Sequence, residues 1–311
     1  MTKTISFIDL FCGIGGFRQA IQNAAGETGF SAECAFSSDI DEKCKDVYEA
    51  NFGERPSGDI SKVDEKEIPD HNILLAGFPC QPFSIIGQRK GFEDTRGTLF
   101  FEIARILKEK KPDAFVLENV KLLTGHNKGR TIKVIMETLK ELGYHAEYRV
   151  LNALDFGLPQ KRERVFIIGS KEKIKFKWPE GNIPMTPLSE ILEEEPSEKM
   201  FASEHIRKKR HCKKQTTKEP AIWHENKSGN ISVYPYSCAL RAGASHNYLL
   251  VNGERRLTPR EMLRLQGFPD DFQPPKAYTQ VKKQAGNSLP VPVAQAVIKE
   301  VLKAIKWGDP L

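Results

Sequence analysis

No stretch of the 311-residue chain approaches the run of about 20 apolar residues that crosses a bilayer. The densest apolar run, Ile73 to Phe78, is far shorter, which excludes a helical membrane span and leaves no membrane partner to expect. Cysteine is sparse and unpatterned. The six residues, Cys12, Cys34, Cys44, Cys80, Cys212 and Cys238, contain no CxxC pair, which argues for reduced thiols over a disulfide framework or a zinc knuckle. His205, His211 and Cys212 lack a fourth ligand at zinc-like spacing, so no metal is expected. The N-terminal apolar stretch is interrupted by Asp9 and followed by no small-residue cleavage site, so it does not read as a signal peptide. The expected compartment is the cytoplasm. Internal repeats and low-complexity segments are also missing, and with 39% hydrophobic and 28% charged residues the composition is that of a globular protein rather than a disordered one. Neither sign of charge dominates: 47 Lys+Arg against 41 Asp+Glu give +6, which permits a polyanionic partner without requiring one. The charge is uneven, however. Glu190 to Glu198 contains no base, and Lys199 to Lys218 is basic but for Glu204, which fits a solvated loop or a phosphate-facing surface.

At about 100 to 200 residues per domain, the length allows two domains. The first half alternates short apolar runs with amphipathic ones, the sign of a parallel sheet covered by helices. Strands are expected at Ile5 to Phe11, Ala32 to Ser38, Ile73 to Phe78, Ala114 to Glu118 and Val165 to Gly169. Leu99, Ile103, Ile106 and Leu107 mark one helical face, and Ile132, Ile135, Met136, Leu139 and Leu142 another, stopped by Gly143. After Trp178-Pro179 the periodicity decays among prolines, and the boundary is placed near Thr186. The division expected is 1–185 plus 284–311 for the α/β domain and 186–283 for a second, less regular one. Strand-like composition returns at Tyr234 to Val251, and a helix with the face Val297, Ile298, Val301, Leu302 and Ile305 closes the chain.

The chemistry gathers at strand ends. The first strand runs into Phe11-Cys12-Gly13-Ile14-Gly15-Gly16, where glycines let a backbone approach a ligand and leave helix N–H groups to bind it. Gly-x-Gly-Gly is not a full GxGxxG, and a tight structural turn has the same composition. Asp39, ending the second strand, stands where an acid accepts from ribose hydroxyls, and Asp59 is a polar contact or a turn aspartate. The third strand ends in Phe78-Pro79-Cys80-Gln81-Pro82, a cysteine held stiffly between prolines where open α/β sheets bind ligands. It is a nucleophile or a buried inert thiol. Glu118-Asn119-Val120 ends the fourth strand and puts a carboxyl group at the same edge, as a general acid or a helix cap. A thiol with a carboxyl suggests nucleophilic addition to an electron-poor ring or carbonyl. Gln160-Lys161-Arg162-Glu163-Arg164 points two arginines one way, suited to phosphate, to a ring carbonyl, or to surface salt bridges. Arg256-Leu257-Thr258-Pro259-Arg260-Glu261 begins a helix, and Gly286-Asn287-Ser288 is read as opening the last one.

Together, in this order, Phe11-Cys12-Gly13-Ile14-Gly15-Gly16, Pro79-Cys80-Gln81, Glu118-Asn119-Val120, Gln160-x-Arg162-x-Arg164, Arg256 to Glu261 and Gly286-Asn287-Ser288 resemble the motifs of the DNA (cytosine-5) methyltransferases, in particular the small bacterial restriction-modification enzymes of the HhaI type. The resemblance covers nearly the whole chain except about Pro184 to Pro235, the target-recognition region in that family. It implies a doubly wound, mostly parallel, Rossmann-like α/β catalytic domain that binds S-adenosylmethionine, with a smaller irregular target-recognition domain and no metal.

Carried over by position, Cys80 becomes the thiolate that adds to C6 of a target cytosine. Glu118 holds N3 and the exocyclic amine, Arg164 contacts the ring carbonyl with Arg162 beside it, Asn119 braces the Pro79-Cys80 loop, and Gln81 follows the nucleophile. Phe11, Gly13, Ile14, Gly15, Gly16, Asp39, Ile40, Asp59, Ile60 and Pro79 fall at the cofactor, as do Asn287 and Ser288 near its methionine part. Ile40 stands where some relatives carry an aromatic residue. The target base must leave the duplex for this chemistry. Ser84 to Thr98, with Arg89, Lys90 and Arg96, has the composition of a loop that closes over DNA, and Arg241, Ser245, His246 and Asn247 are candidates for base contacts. The implied partner is double-stranded DNA, acted on by a monomer in the bacterial cytosol or nucleoid, with a restriction endonuclease sharing the site without a stable complex. The alternatives are a transfer-RNA cytosine-5 methyltransferase, whose Cys-Phe-Thr motif is not found here, and a catalytically silent DNA binder, against which intact Cys80, Glu118 and Arg164 argue.

Overall fold

A computed structural model of the chain describes residues 2–79, 99–214 and 217–307. In chain order its elements begin β1 (Lys3–Leu10), α1 (Gly16–Thr28), β2 (Phe30–Ser38), α2 (Glu42–Phe52), β3 (Ile73–Gly77), α3 (Leu99–Lys110), β4 (Ala114–Val120), a single turn α4 (Leu122–Gly125), α5 (Arg130–Glu141) and β5 (His145–Asn152). There follow β6 (Gln160–Lys161), β7 (Glu163–Ser170), α6 (Leu188–Ile191), α7 (Glu204–His211), β8 (Ile222–Glu225), β9 (Ile231–Tyr234), β10 (Ser237–Cys238), β11 (Leu249–Val251), α8 (Pro259–Arg264), α9 (Tyr278–Asn287) and α10 (Val291–Ala304). No described helix is long and apolar enough to cross a membrane.

The chain divides into two compact units, one of residues 1–151, 163–180 and 293–311, the other of 152–162 and 181–292. The sequence-based limits differ in three places, the third being residues 181–185, which also belong to the second unit. The segment 152–162 and residues 284–292 go with the second unit, because their hydrogen bonds and buried contacts are made there.

In the first unit one sheet has the order β2-β1-β3-β4-β7-β5. The pairs β1–β2, β1–β3 and β3–β4 are parallel and β4–β7 antiparallel. Strands covered on both faces need near-continuous apolar runs, and Ile73, Leu74, Leu75 and Ala76 in β3, or Ala114 to Leu117 in β4, are completely buried. Ile132, Ile135 and Leu139 form the buried stripe of α5, and Phe100, Ile103, Ala104 and Leu107 that of α3. Because β2 and β3 flank β1 on opposite sides, the connections after β1 and β2 leave in opposite directions, and the carboxyl ends of β1 and β3 border a topological switch point, the usual ligand crevice of such sheets. The antiparallel β7 brings its amino end to that same edge.

The second unit has an antiparallel sheet β11-β8-β9 and a two-residue parallel pair of β6 with β10, over a core that includes Leu188, Ile222, Leu249, Leu257, Leu265 and Val281. The Arg256 to Glu261 motif does start a helix. Thr258 caps α8 in a reciprocal box with Glu261, and the Glu261 carboxylate also takes both arms of the Arg255 guanidinium at 2.8 and 2.9 Å. Gly286-Asn287-Ser288 does not open the last helix as expected. It ends α9, with Ser288 just past its last turn, because Pro290 blocks helical continuation and α10 starts afresh at Val291 with Pro292 in its first turn.

Candidate active site

The loop after β1 is built on left-handed backbone: φ is +55° at Phe11 and Gly13 and +88° at Gly15, which precedes α1. A side chain at Gly15 would run into the Phe52 ring, whereas the space a Cβ of Gly13 would take is open within 4 Å. Asp39, at the end of β2, shapes this loop. Its Oδ2 accepts the N–H of Gly13 at 2.8 Å and its Oδ1 that of Asp41 at 2.8 Å. Ile40 is 73% exposed beside it, and Ile60 is buried. Asp59 caps a short 3-10 turn, Ile60–Lys62, by accepting from the backbone and hydroxyl of Ser61, bonds that hold its carboxyl below the usual range. Gly13, Gly15, Asp39, Ile40, Asp59 and Ile60 thus follow β1, β2 and the connection to β3.

Asp9 was not among the expected site residues, since its neighbours in β1 are apolar. It is completely buried under the glycine loop, and burial pushes its pKa up to about 8 against the opposing charge of Arg18. The unfolded carboxyl titrates near 3.9. The folded state therefore holds a proton that the unfolded state gives up, so this group's stabilisation is complete below about pH 4 and declines as pH rises through about 8. Asp9→Asn is expected to flatten the fall in thermal midpoint between pH 5 and pH 8.5. Parallel midpoint curves for the two proteins would count against a neutral Asp9.

β3 ends in Gly77-Phe78-Pro79. Asn119, buried on β4, donates through Nδ2 to the Phe78 carbonyl at 2.8 Å and accepts the N–H of Val120 at 2.8 Å, tying the end of β4 to the residue two before Cys80. Cys80 and Gln81, like Ser84, Arg89, Lys90 and Arg96, lie outside the described residues. Glu118 is almost wholly buried and receives Nε of Arg164 at 2.9 Å. β4 and β7 pair Glu118 with Phe166 and Val120 with Arg164, so the antiparallel register delivers the guanidinium to the carboxylate. Burial pulls the Arg164 pKa down, with Glu118 opposing, and one Nη donates to the Glu163 carbonyl at 2.8 Å. The site therefore has a carboxylate and a guanidinium, desolvated together, at the strand edge from which the Cys80 segment departs.

Arg162, two residues before Arg164, belongs to the second unit. Its guanidinium is buried in the second unit, donating to the carbonyls of Leu240 (3.1 Å), Gly286 (3.0 Å) and Ser288 (2.5 Å). Gln160 accepts the Leu240 N–H at 3.0 Å and donates to the Leu265 carbonyl at 2.7 Å. Both backbone groups of Leu240 are thus held by the Gln160-x-Arg162 motif. A Cβ at Gly286 would sit 2.5 Å from the Ala242 nitrogen, so glycine there lets the backbone after Leu240 lie against α9. Asn287 is exposed and Ser288 half-buried in the same unit.

The segment Arg241 to Tyr248 is braced at several points. The Arg241 N–H donates to the Tyr248 hydroxyl at 2.9 Å and its guanidinium stands 5.0 Å over the Tyr248 ring, while Lys282 donates to the Ala244 carbonyl. Arg241, Ser245 and His246 are exposed and Asn247 is half-buried. Desolvation, with Lys282 and Arg256 nearby, holds His246 below the ordinary histidine pKa. The basic run before it is more self-neutralised than its composition suggests. Arg207 pairs with Glu254, Lys208 with Glu204 and Lys209 with Glu225, and Arg210 is buried against Glu225 and the carbonyls of Trp223 and Asn247.

A profile of the C-5 cytosine-specific DNA methylase family matches residues 5–303, and the chain belongs to this family. It is 57% identical over 304 residues to the Type II methyltransferase M.NgoBI of Neisseria gonorrhoeae, covering 96% of this chain and 92% of that protein. With M.HhaI of Haemophilus parahaemolyticus it shares 39% identity over 323 residues, 97% of this chain and 96% of that one. The Schizosaccharomyces pombe Dnmt2 methyltransferase structure superposes with a TM-score of 0.73 at 22% identity, over 96% of this chain and 98% of that one, a likeness of fold. The protein is a DNA cytosine-5 methyltransferase of the Type II restriction-modification kind.

Proposed function

We propose that the enzyme methylates C5 of a cytosine flipped out of duplex DNA at a short specific site, through a covalent bond between Cys80 and C6. The observation that carries this reading is the buried Glu118–Arg164 pair, 2.9 Å apart, on the strand whose Asn119 grips the backbone leading to Cys80. Flipping costs a few kcal/mol, offset by contacts in a pocket that the two desolvated charges make polar and directional. As the Cys80 thiolate adds to C6, charge moves onto the ring. Glu118 meets N3 and the exocyclic amine, and Arg164, with N–H groups beyond those given to Glu118 and Glu163, meets the ring carbonyl. Loss of the C5 proton and departure of Cys80 then release the product.

S-adenosylmethionine supplies the methyl group. The residues after β1 and β2 suit it: open space at Gly13, a left-handed loop, the Asp39 carboxylate for ribose hydroxyls and the exposed apolar Ile40 for the adenine. Phe11, Ile14, Gly16, Asp59, Ile60 and Pro79 complete that assignment, with Asn287 and Ser288 toward the methionine part. We assign chemistry and most cofactor contacts to the first unit and target recognition to the second, which also carries Asn287 and Ser288, with Arg241, Ser245, His246 and Asn247 as base contacts. The enzyme acts as a monomer, and a restriction endonuclease reads the same site without a stable complex.

The test is transfer of labelled methyl from S-adenosylmethionine to duplex DNA and to transfer RNA, with the modified nucleoside identified by mass spectrometry. Label is expected in DNA as 5-methylcytosine. Label confined to RNA would overturn the substrate, and label at another cytosine atom would overturn the chemistry.

A further inference from the structure

The segment from Lys121 to Met136 follows directly on Val120, the last residue of β4, and contains no acidic side chain. Its cations are Lys121, Lys128, Arg130 and Lys133. Lys121 pairs with Glu163 at 2.7 Å and Lys133 with Glu137 at 3.9 Å. Lys128 and Arg130 are exposed and make no ion pair among the described residues. Leu122, in the same segment, is 80% exposed, more than any other large hydrophobic side chain described. That exposure is held in place. Leu123 is fully buried in the core of the first unit, and His126 Nδ1 is bonded to Thr131 Oγ1 at 2.7 Å across the turn into α5.

An apolar side chain held in water, in one segment with cations that make no ion pair among the described residues, fits a surface that is anionic and apolar at once. The phosphodiester backbone of DNA, with its sugar and base edges, is such a surface. The position agrees. Leu122 is four residues from Glu118, so their Cα atoms lie within about 14 Å, comparable with the ~12 Å width of the major groove. A duplex whose flipped cytosine reaches Glu118 therefore runs within reach of this segment.

We propose that Lys121–Arg130 forms a fixed lip that grips the duplex beside the flipped base, Lys128 and Arg130 on phosphates and Leu122 against the sugar and base edges of the neighbouring step. The inference rests on the methyltransferase reading above and adds a contact surface on the catalytic unit itself. Each phosphate neutralised contributes about 0.9 to the slope of log affinity against log salt.

The experiment compares wild-type enzyme with the double variant Lys128→Gln/Arg130→Gln and with Leu122→Ser, in DNA binding across a salt series and in methyl transfer. The double variant is expected to lose about 1.8 of the salt slope. Leu122→Ser is expected to raise KM for DNA about tenfold, with KM for S-adenosylmethionine and the thermal midpoint unchanged. Wild-type salt slope and DNA KM in both variants would overturn the lip and leave the enzymatic reading standing. A wild-type enzyme that neither binds nor methylates duplex DNA would overturn both.

Discussion

Glu118→Gln is expected to lower kcat for methyl transfer by roughly 10²- to 10⁴-fold, the range for loss of a positioned proton-transfer group. Gln is nearly isosteric, and its amide oxygen still accepts Nε of Arg164, so the β4–β7 edge is preserved. What disappears is the carboxyl group that takes up a proton from solvent as the base binds and passes it to N3 as the ring takes up charge. KM for S-adenosylmethionine should stay close to wild type, because the loop after β1 and its Asp39 anchor are untouched. Steady-state methylation at saturating DNA separates the two constants. An unchanged kcat would remove Glu118 from the chemistry.

Arg162→Ala is expected to destabilise the second unit by about 3 to 5 kcal/mol, since each buried acceptor left unpaired costs about 1 to 3 kcal/mol. Three carbonyls, of Leu240, Gly286 and Ser288, lose their donor at once, and buried acceptors without partners are costly. The denaturant midpoint followed through the buried Trp223, which lies in that unit, reads the loss directly. Arg162→Lys should recover little, since one ammonium cannot serve carbonyls spread as the guanidinium fork serves them. A variant with wild-type midpoint and a large fall in kcat would instead return Arg162 to the catalytic group.

These two residues also mark where sequence reading succeeds and where it stops. Glu118 was legible because it ends an apolar run, and an acid at the end of a buried parallel strand has few structural reasons to be there. The expectation that Arg162 and Arg164 point the same way assumed one uninterrupted strand, in which residues two apart share a face. The strand breaks at Arg162 itself: Gln160 and Lys161 pair with β10, and Arg164 onward with β4. β5 escaped notice because it lies at the sheet edge with most of its side chains at least partly exposed, so it lacks the apolar signature of β3 or β4. Arg210 reads as one more cation in a basic run, and only the fold reveals Glu225 beside it. Glycine motifs mark tight places without saying which: Gly15 relieves the Phe52 ring, and Gly286 a neighbouring backbone.

The covalent role of Cys80 is tested most directly with duplex DNA in which every cytosine is replaced by 5-fluorocytosine. Fluorine cannot leave C5 as a proton does, so the enzyme bonded to C6 cannot be released after methyl transfer. With S-adenosylmethionine present, a complex that survives detergent denaturation is expected, its DNA attached to the peptide containing Cys80, and none should form with Cys80→Ser. Attachment at another residue, or methylation of ordinary DNA by Cys80→Ser at the wild-type rate, would contradict catalysis through Cys80.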